Sequence, residues 1–425
     1  MKPGNCQFEN QMKNTIILHL DVNSYFATME QQANPQLRGR PIGVAGKGPG
    51  ERTVIAGASM EAKKFGLYSG ISTWEAKRLC PSLIIVPANY DRYIFTSRRI
   101  FAALERFSPT VDIFSIDEAW LDLTYLNDRG GWAEAIKLAE EMKLLIRHQI
   151  GEWVTCSIGI SYGKILAKLA SEMVKPDGLT VIRPEDFPKI ALITPVEDIC
   201  GIGHRLTPRL NQLGIRTVAE LGRASPIQLI TVFGQYRGQW LNRIGNGQDD
   251  GLVHSWRGLS QEKSVGHSYT VPKDLTAEED VWRILLWLSE RVGARLRLRG
   301  LLGRTVSVYL RFDDRTGWGQ RLTEPEYLND GGAIFHSGKR LLERLAESKP
   351  VRLIAITVSD LVRQTELTRP LLPERQRLDR LIKAVDQVNH RYGQLVIFPA
   401  QLAPIKSRLF NLPDGRSGRH YAPTN

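Results

Sequence analysis

The hydrophobic pattern opens with a short unbroken run. Thr15-Ile-Ile-Leu-His-Leu-Asp21 is apolar at nearly every position and ends at an acid, which predicts a buried strand. Residues 25–32 have helical composition; 41–46 and 52–57 predict strands, and 59–65 a helix closed by Gly66. Residues 111–124 read as two strands meeting near the acidic pair Asp117-Glu118, and 132–150 as a long helix. Residues 156–160 predict a strand feeding a helix over 164–173.

The pattern changes at Thr194. Thr194-Pro-Val-Glu197 has an N-cap residue, a proline at the first helical position and a glutamate at the third, so a helix is expected there, running into Gly201-Ile-Gly203. A second helix is expected over 204–213. Two short helices joined by Gly201 and Gly203 have the form of a helix-hairpin-helix, whose backbone N–H groups suit a DNA phosphate; a plain helical turn has the same pattern. Patterning lapses over 251–262, a linker. Beyond it come a strand (264–271), a helix capped by Thr276 with Glu279 behind it, strands over 304–312 and 317–323, a helix near 332–347 and a strand over 351–361. This β-α-β-β-α-β order predicts a small sheet with helices on one face, rich in arginine. After Gln364 one amphipathic helix carrying Leu378, Leu381, Ile382, Val385 and Val388 precedes an irregular end. The fold class is α/β (α+β) and multidomain.

Composition narrows the partners. The chain has 425 residues, enough for two to four domains, and a net charge of +12, which favours polyanions such as nucleic acid. No apolar run approaches the ~18 residues that span a bilayer, and the polar first 13 residues lack a secretory pattern, so no membrane association is expected. The cysteines Cys6, Cys80, Cys156 and Cys200 lie far apart, arguing against a zinc site or disulfide framework and fitting a reducing cytoplasm.

Asp21 and Asp117-Glu118 sit at the ends of strands expected to be neighbours. Carboxylates converging on one sheet repel one another and need cations between them. Hard oxygen donors suit Mg2+ or Mn2+, and two such ions roughly 3.5–4 Å apart serve phosphoryl or nucleotidyl transfer.

Four segments, Leu20-Asp-Val-Asn-Ser-Tyr-Phe-Ala27, Ser115-Ile-Asp-Glu-Ala-Trp-Leu-Asp122, Ser157-Ile-Gly-Ile-Ser-Tyr-Gly-Lys-Ile-Leu-Ala-Lys-Leu-Ala170 and Lys175-Pro-Asp-Gly178, resemble in order and spacing the signature blocks of Y-family DNA polymerases. The Gly201-Ile-Gly203 hairpin falls where that family has its thumb hairpin. The resemblance runs over residues 15–362 and implies a right hand: palm (12–24 and 90–183), fingers (25–89), thumb (184–252), linker (253–262), little finger (263–362) and a tail (363–425). It implies low-fidelity, template-directed synthesis past damaged bases, with two Mg2+ ions and without proofreading. Asp21 and Asp117 would ligate both ions, Glu118 would complete the site that activates the primer hydroxyl, and the Val22 carbonyl would help hold the nucleotide-bound ion. Phe26 matches the steric gate against a 2′-hydroxyl. Ser24, Tyr25, Met60, Lys63 and Lys175 match nucleotide contacts. Gly201, Gly203, Arg295, Arg297 and Arg304 would hold DNA through phosphates.

Two positions depart from the family pattern. Met60 and Lys63 stand where tyrosine and arginine are common, which weakens triphosphate binding because methionine donates nothing and lysine lacks the guanidinium fork. The second acid of the first block is Asn23 here. Expected partners are primer-template DNA and dNTPs, with the chain as a monomer. The resemblance adds a sliding clamp, and Gln364-Thr-Glu-Leu-Thr-Arg-Pro-Leu371 lies where a clamp peptide would, though without the usual aromatic end. A non-catalytic DNA-binding scaffold is the alternative, and it predicts loss of the three acids; a nucleotide cyclase would have no use for the hairpin or the arginine-rich last domain.

Overall fold

Six consecutive buried residues make β1 (Ile17–Val22) the centre of the first sheet. The strands that follow are β2 (Ile42–Ala45), β3 (Ile55–Ala58), β4 (Ile84–Pro87), β5 (Val111–Ile113), β6 (Glu118–Asp122), β7 (Cys156–Ser161) and β8 (Leu179–Ile182). A five-stranded sheet has the order β5-β6-β1-β7-β8, and a separate three-stranded sheet the order β3-β2-β4. In the larger sheet only β7 and β8 run parallel, joined by a crossover through the helix Lys164–Met173. The helices Tyr90–Leu104 and Gly131–Gln149 supply Tyr93, Phe101, Ala139 and Met142 to the core around β1. Continuous burial explains the unbroken apolar run: a strand covered on both faces has no solvent side to alternate with.

The computed structural model describes residues 15–46, 52–249, 251–256, 262–345, 349–367, 373–393 and 395–405. Two compact units divide the chain, the first taking in Met1–Leu259 and Arg416–Asn425 and the second Ser260–Gly415. Among the described residues no helix is long and apolar enough to cross a membrane. Cys80, Cys156 and Cys200 are free thiols. Cys6 and the polar start lie outside the described residues.

The helix expected from Thr194 does not form. Thr194 instead ends the helix Phe187–Ile193, its hydroxyl donating to the Ile190 carbonyl at 2.8 Å. The next residues pair with a neighbouring stretch: Val196 N–H donates to Arg216 O, and Val218 N–H to Thr194 O. Those bonds hold Pro195 extended and leave only a 3-10 turn over Val196–Asp198. The second helix starts at Thr207 rather than His204. Here tertiary pairing overrides a local capping signal.

The second unit has the expected element order: β9 (Ser264–Leu275), helix Glu278–Leu298, β10 (Leu301–Phe312), β11 (Gly317–Leu328), helix Gly331–Leu342 and β12 (Val351–Arg363). Its sheet is antiparallel with the order β11-β10-β12-β9. The first helix begins one residue later than expected, with Ala277 rather than Thr276 at its cap position. Glu278, Glu279 and Asp280 supply the negative charge its N-terminus favours. The C-terminal helix Pro373–Tyr392 and the turn Ala400–Ile405 belong to this unit, and Leu402 is fully buried in its core.

Candidate active site

Antiparallel register between β1 and β6 sets Asp21 directly opposite Glu118. Val22 N–H donates to Asp117 O at 3.0 Å, which ties the second acid to the end of β1. All three predicted acids therefore come to one end of the large sheet. Burial pushes the Asp21 carboxyl up to about 7; Lys175 opposes that shift, while Asp117 and Glu118 reinforce it. Burial likewise raises Asp117, against the Ser115 hydroxyl bonded to it at 2.5 Å. Glu118 goes the other way. Burial alone would raise it, but a hydrogen bond from His19 and the Lys168 ammonium outweigh that and hold it at about 2.

Two lysines answer the negative charge. Lys175 Nζ lies 3.0 Å from Asp21 Oδ1 and 2.6 Å from Glu172 Oε1, and Lys168 Nζ pairs with Glu118 Oε2. Lys63 is held below its ordinary value by burial and by the ammonium of Lys175 nearby. His19, kept neutral by burial at about 4, bridges Ser171 Oγ at 2.8 Å and Glu118 Oε2 at 3.3 Å. Sequence reading missed His19, Ser171 and Lys168. The lone histidine inside the apolar run of β1 was the available signal for the first of them.

The donor set is hard oxygen on a desolvated, mutually repelling group of acids, which is chemistry that fits a divalent cation. Among the described residues no three His, Cys, Asp or Glu side chains close around a single point. The lysines hold the carboxylates in that role instead.

Beside the acids, Ser24 adopts a left-handed conformation (φ 49°) ahead of the helix Tyr25–Ala33, and its hydroxyl meets Met60 Sδ at 3.2 Å. Tyr25 is buried and its hydroxyl donates to Tyr93 O at 2.6 Å, so this side chain is a packing element. Phe26 is half-buried, with its ring 4.9 Å from that of Tyr93. Tyr93 is itself anchored by its hydroxyl to Glu30 Oε1 at 2.6 Å. On the other side Gly57 makes room: a Cβ there would stand 3.1 Å from Phe26 Cβ. The Phe26 ring is thus held in one place by Gly57 and Tyr93.

The predicted DNA contacts divide. Gly201 and Gly203 are exposed in the turn after Ile199, and Gly201 has φ 102°, a conformation that favours glycine. In the second unit Arg304 is partly exposed, paired with Asp360 at 2.5 Å. Arg295 donates to Gly266 O at 3.1 Å. Arg297 is redirected: its fork grips Asp386 of the C-terminal helix at 2.6 and 2.8 Å, and its third nitrogen donates to Asn329 O at 2.6 Å. With Nε, Nη1 and Nη2 each engaged and its charge met by Asp386, Arg297 clasps the C-terminal helix.

Asp21, Asp117 and Glu118 thus share one end of the sheet, with Lys175 and Lys168 paired to two of them. The chain matches the impB/mucB/samB family over residues 20–172 and that family's C-terminal domain over 262–370. It is 39% identical over 388 residues to DNA polymerase IV of Moorella thermoacetica, covering 90% of this chain and 95% of that one. It is 36% identical over 349 residues to DNA polymerase IV of Alkalilimnicola ehrlichii, covering 82% and 96%. Among solved structures, a Y-family DNA polymerase chimera of Dbh and Dpo4 superposes with a TM-score of 0.73 at 25% identity, covering 82% of this chain and 99% of that chain. A post-insertion binary complex of Dbh DNA polymerase gives a TM-score of 0.58 at 26% identity over the same shares. The chain belongs to the impB/mucB/samB family, the DNA polymerase IV-like branch of the Y-family polymerases. It is an enzyme, a DNA polymerase of the low-fidelity, translesion kind, and DNA and deoxynucleotides are what it binds. Divalent-metal dependence goes with membership of this family.

Proposed function

We propose that the chain extends a primer by two-metal nucleotidyl transfer at Asp21, Asp117 and Glu118, and that Mg2+ is the working ion with Mn2+ able to replace it. The observation that carries this reading is the register of Asp21 against Glu118, with Asp117 bonded to Val22 beside them. Divalent ions bound there supply Lewis-acid activation of the primer hydroxyl and stabilise the leaving phosphate oxygen. Asp21 and Asp117 would hold both ions, Glu118 the primer-side ion, and the Val22 carbonyl the nucleotide-side ion. Lys175 and Lys168 keep the acids neutralised until substrate arrives, and Lys175 then turns from Asp21 to the triphosphate. Lys63, Ser24 and the backbone at Tyr25 line the same phosphate path; Met60 adds contact but no donor. Phe26, backed by Tyr93, stacks on the sugar and excludes a 2′-hydroxyl.

Gly201, Gly203, Arg295 and Arg304 are proposed to grip the duplex through phosphates, giving affinity that depends on salt and not on sequence. The right-hand division is proposed with it: palm 12–24 and 90–183, fingers 25–89, thumb 184–252, little finger 263–362. We place the enzyme in the cytoplasm as a monomer. Clamp binding is proposed through Gln364–Leu371, of which Gln364–Glu366 forms a 3-10 turn and 368–371 lie outside the described residues.

The test is primer extension on undamaged and abasic templates with Mg2+, comparing the wild type with Asp117→Ala/Glu118→Ala. Extension by the wild type alone is expected. Loss of extension in both, with primer-template binding intact in both, would instead make the chain a non-catalytic scaffold.

A further inference from the structure

Asn23 stands where the family commonly has a second acid, and its surroundings give it a task. It lies one residue beyond β1 and two beyond Asp21, and is 3% exposed. Its Oδ1 accepts from the backbone N–H of Asp177 at 2.8 Å and from Thr155 Oγ1 at 3.0 Å. Its Nδ2 donates to Ser157 Oγ at 3.0 Å, and the same oxygen accepts from Gly178 N–H at 3.3 Å. Its own carbonyl accepts from Thr28 Oγ1 at 2.7 Å.

One buried residue thus joins three pieces: its side-chain amide ties the strand end carrying Asp21 and Val22 to the loop Lys175-Pro-Asp-Gly178, and its backbone carbonyl holds the helix carrying Phe26. The loop is braced from outside as well, because the Asp177 carboxylate lies 3.1 Å from Lys143 Nζ and pairs with Arg147. At the loop's start, Lys175 Nζ sits 3.0 Å from Asp21 Oδ1.

We propose that Asn23 is a positioning residue for the nucleotide: it fixes the Lys175 loop to the strand end bearing Asp21, so the phosphate-binding ammonium and the carboxylate keep one spacing. This rests on the reading of Lys175 as the triphosphate lysine. The Oδ1 of Asn23 serves two donors, the Asp177 N–H of the loop and the Thr155 hydroxyl. A carboxylate in the same place accepts those two bonds equally well, and the Ser157 hydroxyl can turn to donate to it. Alanine leaves the Asp177 N–H buried without a partner, and the loop shifts to recover one. The damage falls on the nucleotide side, because Asp117 and Glu118 are held separately by Ser115, His19 and Lys168.

The experiment is single-nucleotide insertion by the full chain, with dNTP KM and kcat measured separately for Asn23→Ala, Asn23→Asp, Lys175→Ala and the Asn23→Ala/Lys175→Ala double variant. Asn23→Ala should raise the dNTP KM about tenfold and change kcat less. Asn23→Asp should stay within about twofold of wild type. In the Lys175→Ala background Asn23→Ala should add almost nothing, since the group it positions is gone. Fully additive effects overturn the proposal, as does an Asn23→Asp variant as impaired as Asn23→Ala. A dNTP KM unmoved by Lys175→Ala removes the lysine reading and this proposal together. A KM raised by Lys175→Ala but unmoved by Asn23→Ala removes this proposal alone. Should Asn23→Ala fail to fold in a thermal melt, Ser157→Ala deletes only the hydroxyl shared by Asn23 and Gly178. It should raise KM roughly two- to threefold, again without adding to Lys175→Ala, and an unchanged KM there overturns the proposal.

Discussion

The sheet around β1 and the sheet of the second unit solve opposite problems. Each residue of β1 is buried, and its penultimate residue, Asp21, stands opposite Glu118 of β6. In the second unit burial alternates: Val306, Val308 and Leu310 of β10 and Ile354, Ile356 and Val358 of β12 face the helices. The residues between them, Thr305, Ser307 and Tyr309 against Ser359, Thr357 and Ala355, form a face of small side chains and hydroxyls. A sheet covered on both sides gives its polar residues a low dielectric, where a carboxyl can be moved to about 7. A sheet covered on one side keeps its polar face solvated and suits a broad, uncritical grip. On the function proposed above, chemistry belongs to the first and holding to the second.

The largest expected effect tests the chemical side. Asp117→Ala/Glu118→Ala should lower primer extension by roughly a thousandfold or more while DNA binding persists, measured by extension and by fluorescence anisotropy. Next, Phe26→Ala should raise ribonucleotide over deoxynucleotide insertion by about a hundredfold, read from competing single-nucleotide assays; unchanged sugar selectivity would move the gate to another residue. On the holding side, Leu402→Ala should destabilise the second unit by about 2–4 kcal/mol in a denaturant melt, as expected for emptying a fully buried position.

The acids predict a pH dependence of opposite signs. Asp21 has a folded value raised to about 7, so its contribution favours the folded state at low pH and is lost as pH rises from about 4 towards 7. Glu118, held at about 2, contributes above its ordinary value and loses that contribution only as pH falls towards 2. In EDTA, Asp21→Asn should therefore flatten the fall in Tm between about pH 4 and 7, and an unaltered slope would contradict the burial of Asp21. The smallest effect separates two arginines. Arg304→Ala should reduce the salt slope of DNA binding by about one, whereas Arg297→Ala should leave that slope alone and lower the melting temperature.

Sequence was most informative where one local pattern decided the structure. The run into Asp21 forms β1 because burial on both faces demands an uninterrupted apolar stretch, and the β-α-β-β-α-β order followed from alternating periods of two and 3.6. The caps at Thr194 and Thr276 misled because pairing with residues 216–218, in the first case, outbids a local hydrogen bond. Arg297 could not be told from Arg304 by charge, since its partner Asp386 lies 89 residues away. Lys168 and Ser171 were likewise invisible as site residues, because their meaning depends on partners far along the chain, Glu118 and His19.

The clasp between Arg297 and Asp386 carries a practical lesson about cutting the chain. Residues after Gln364 look like a dispensable tether, yet they deliver Leu402 to the interior and Asp386 to a guanidinium that would otherwise stand half-buried with two donors unmatched. A protease nick or a premature stop in that region strips insulation from the second unit, and the loss would surface as aggregation and a weakened hold on DNA. Point changes within Gln364–Glu366, which leave the plug in its socket, are the cleaner way to ask what else that stretch of chain touches.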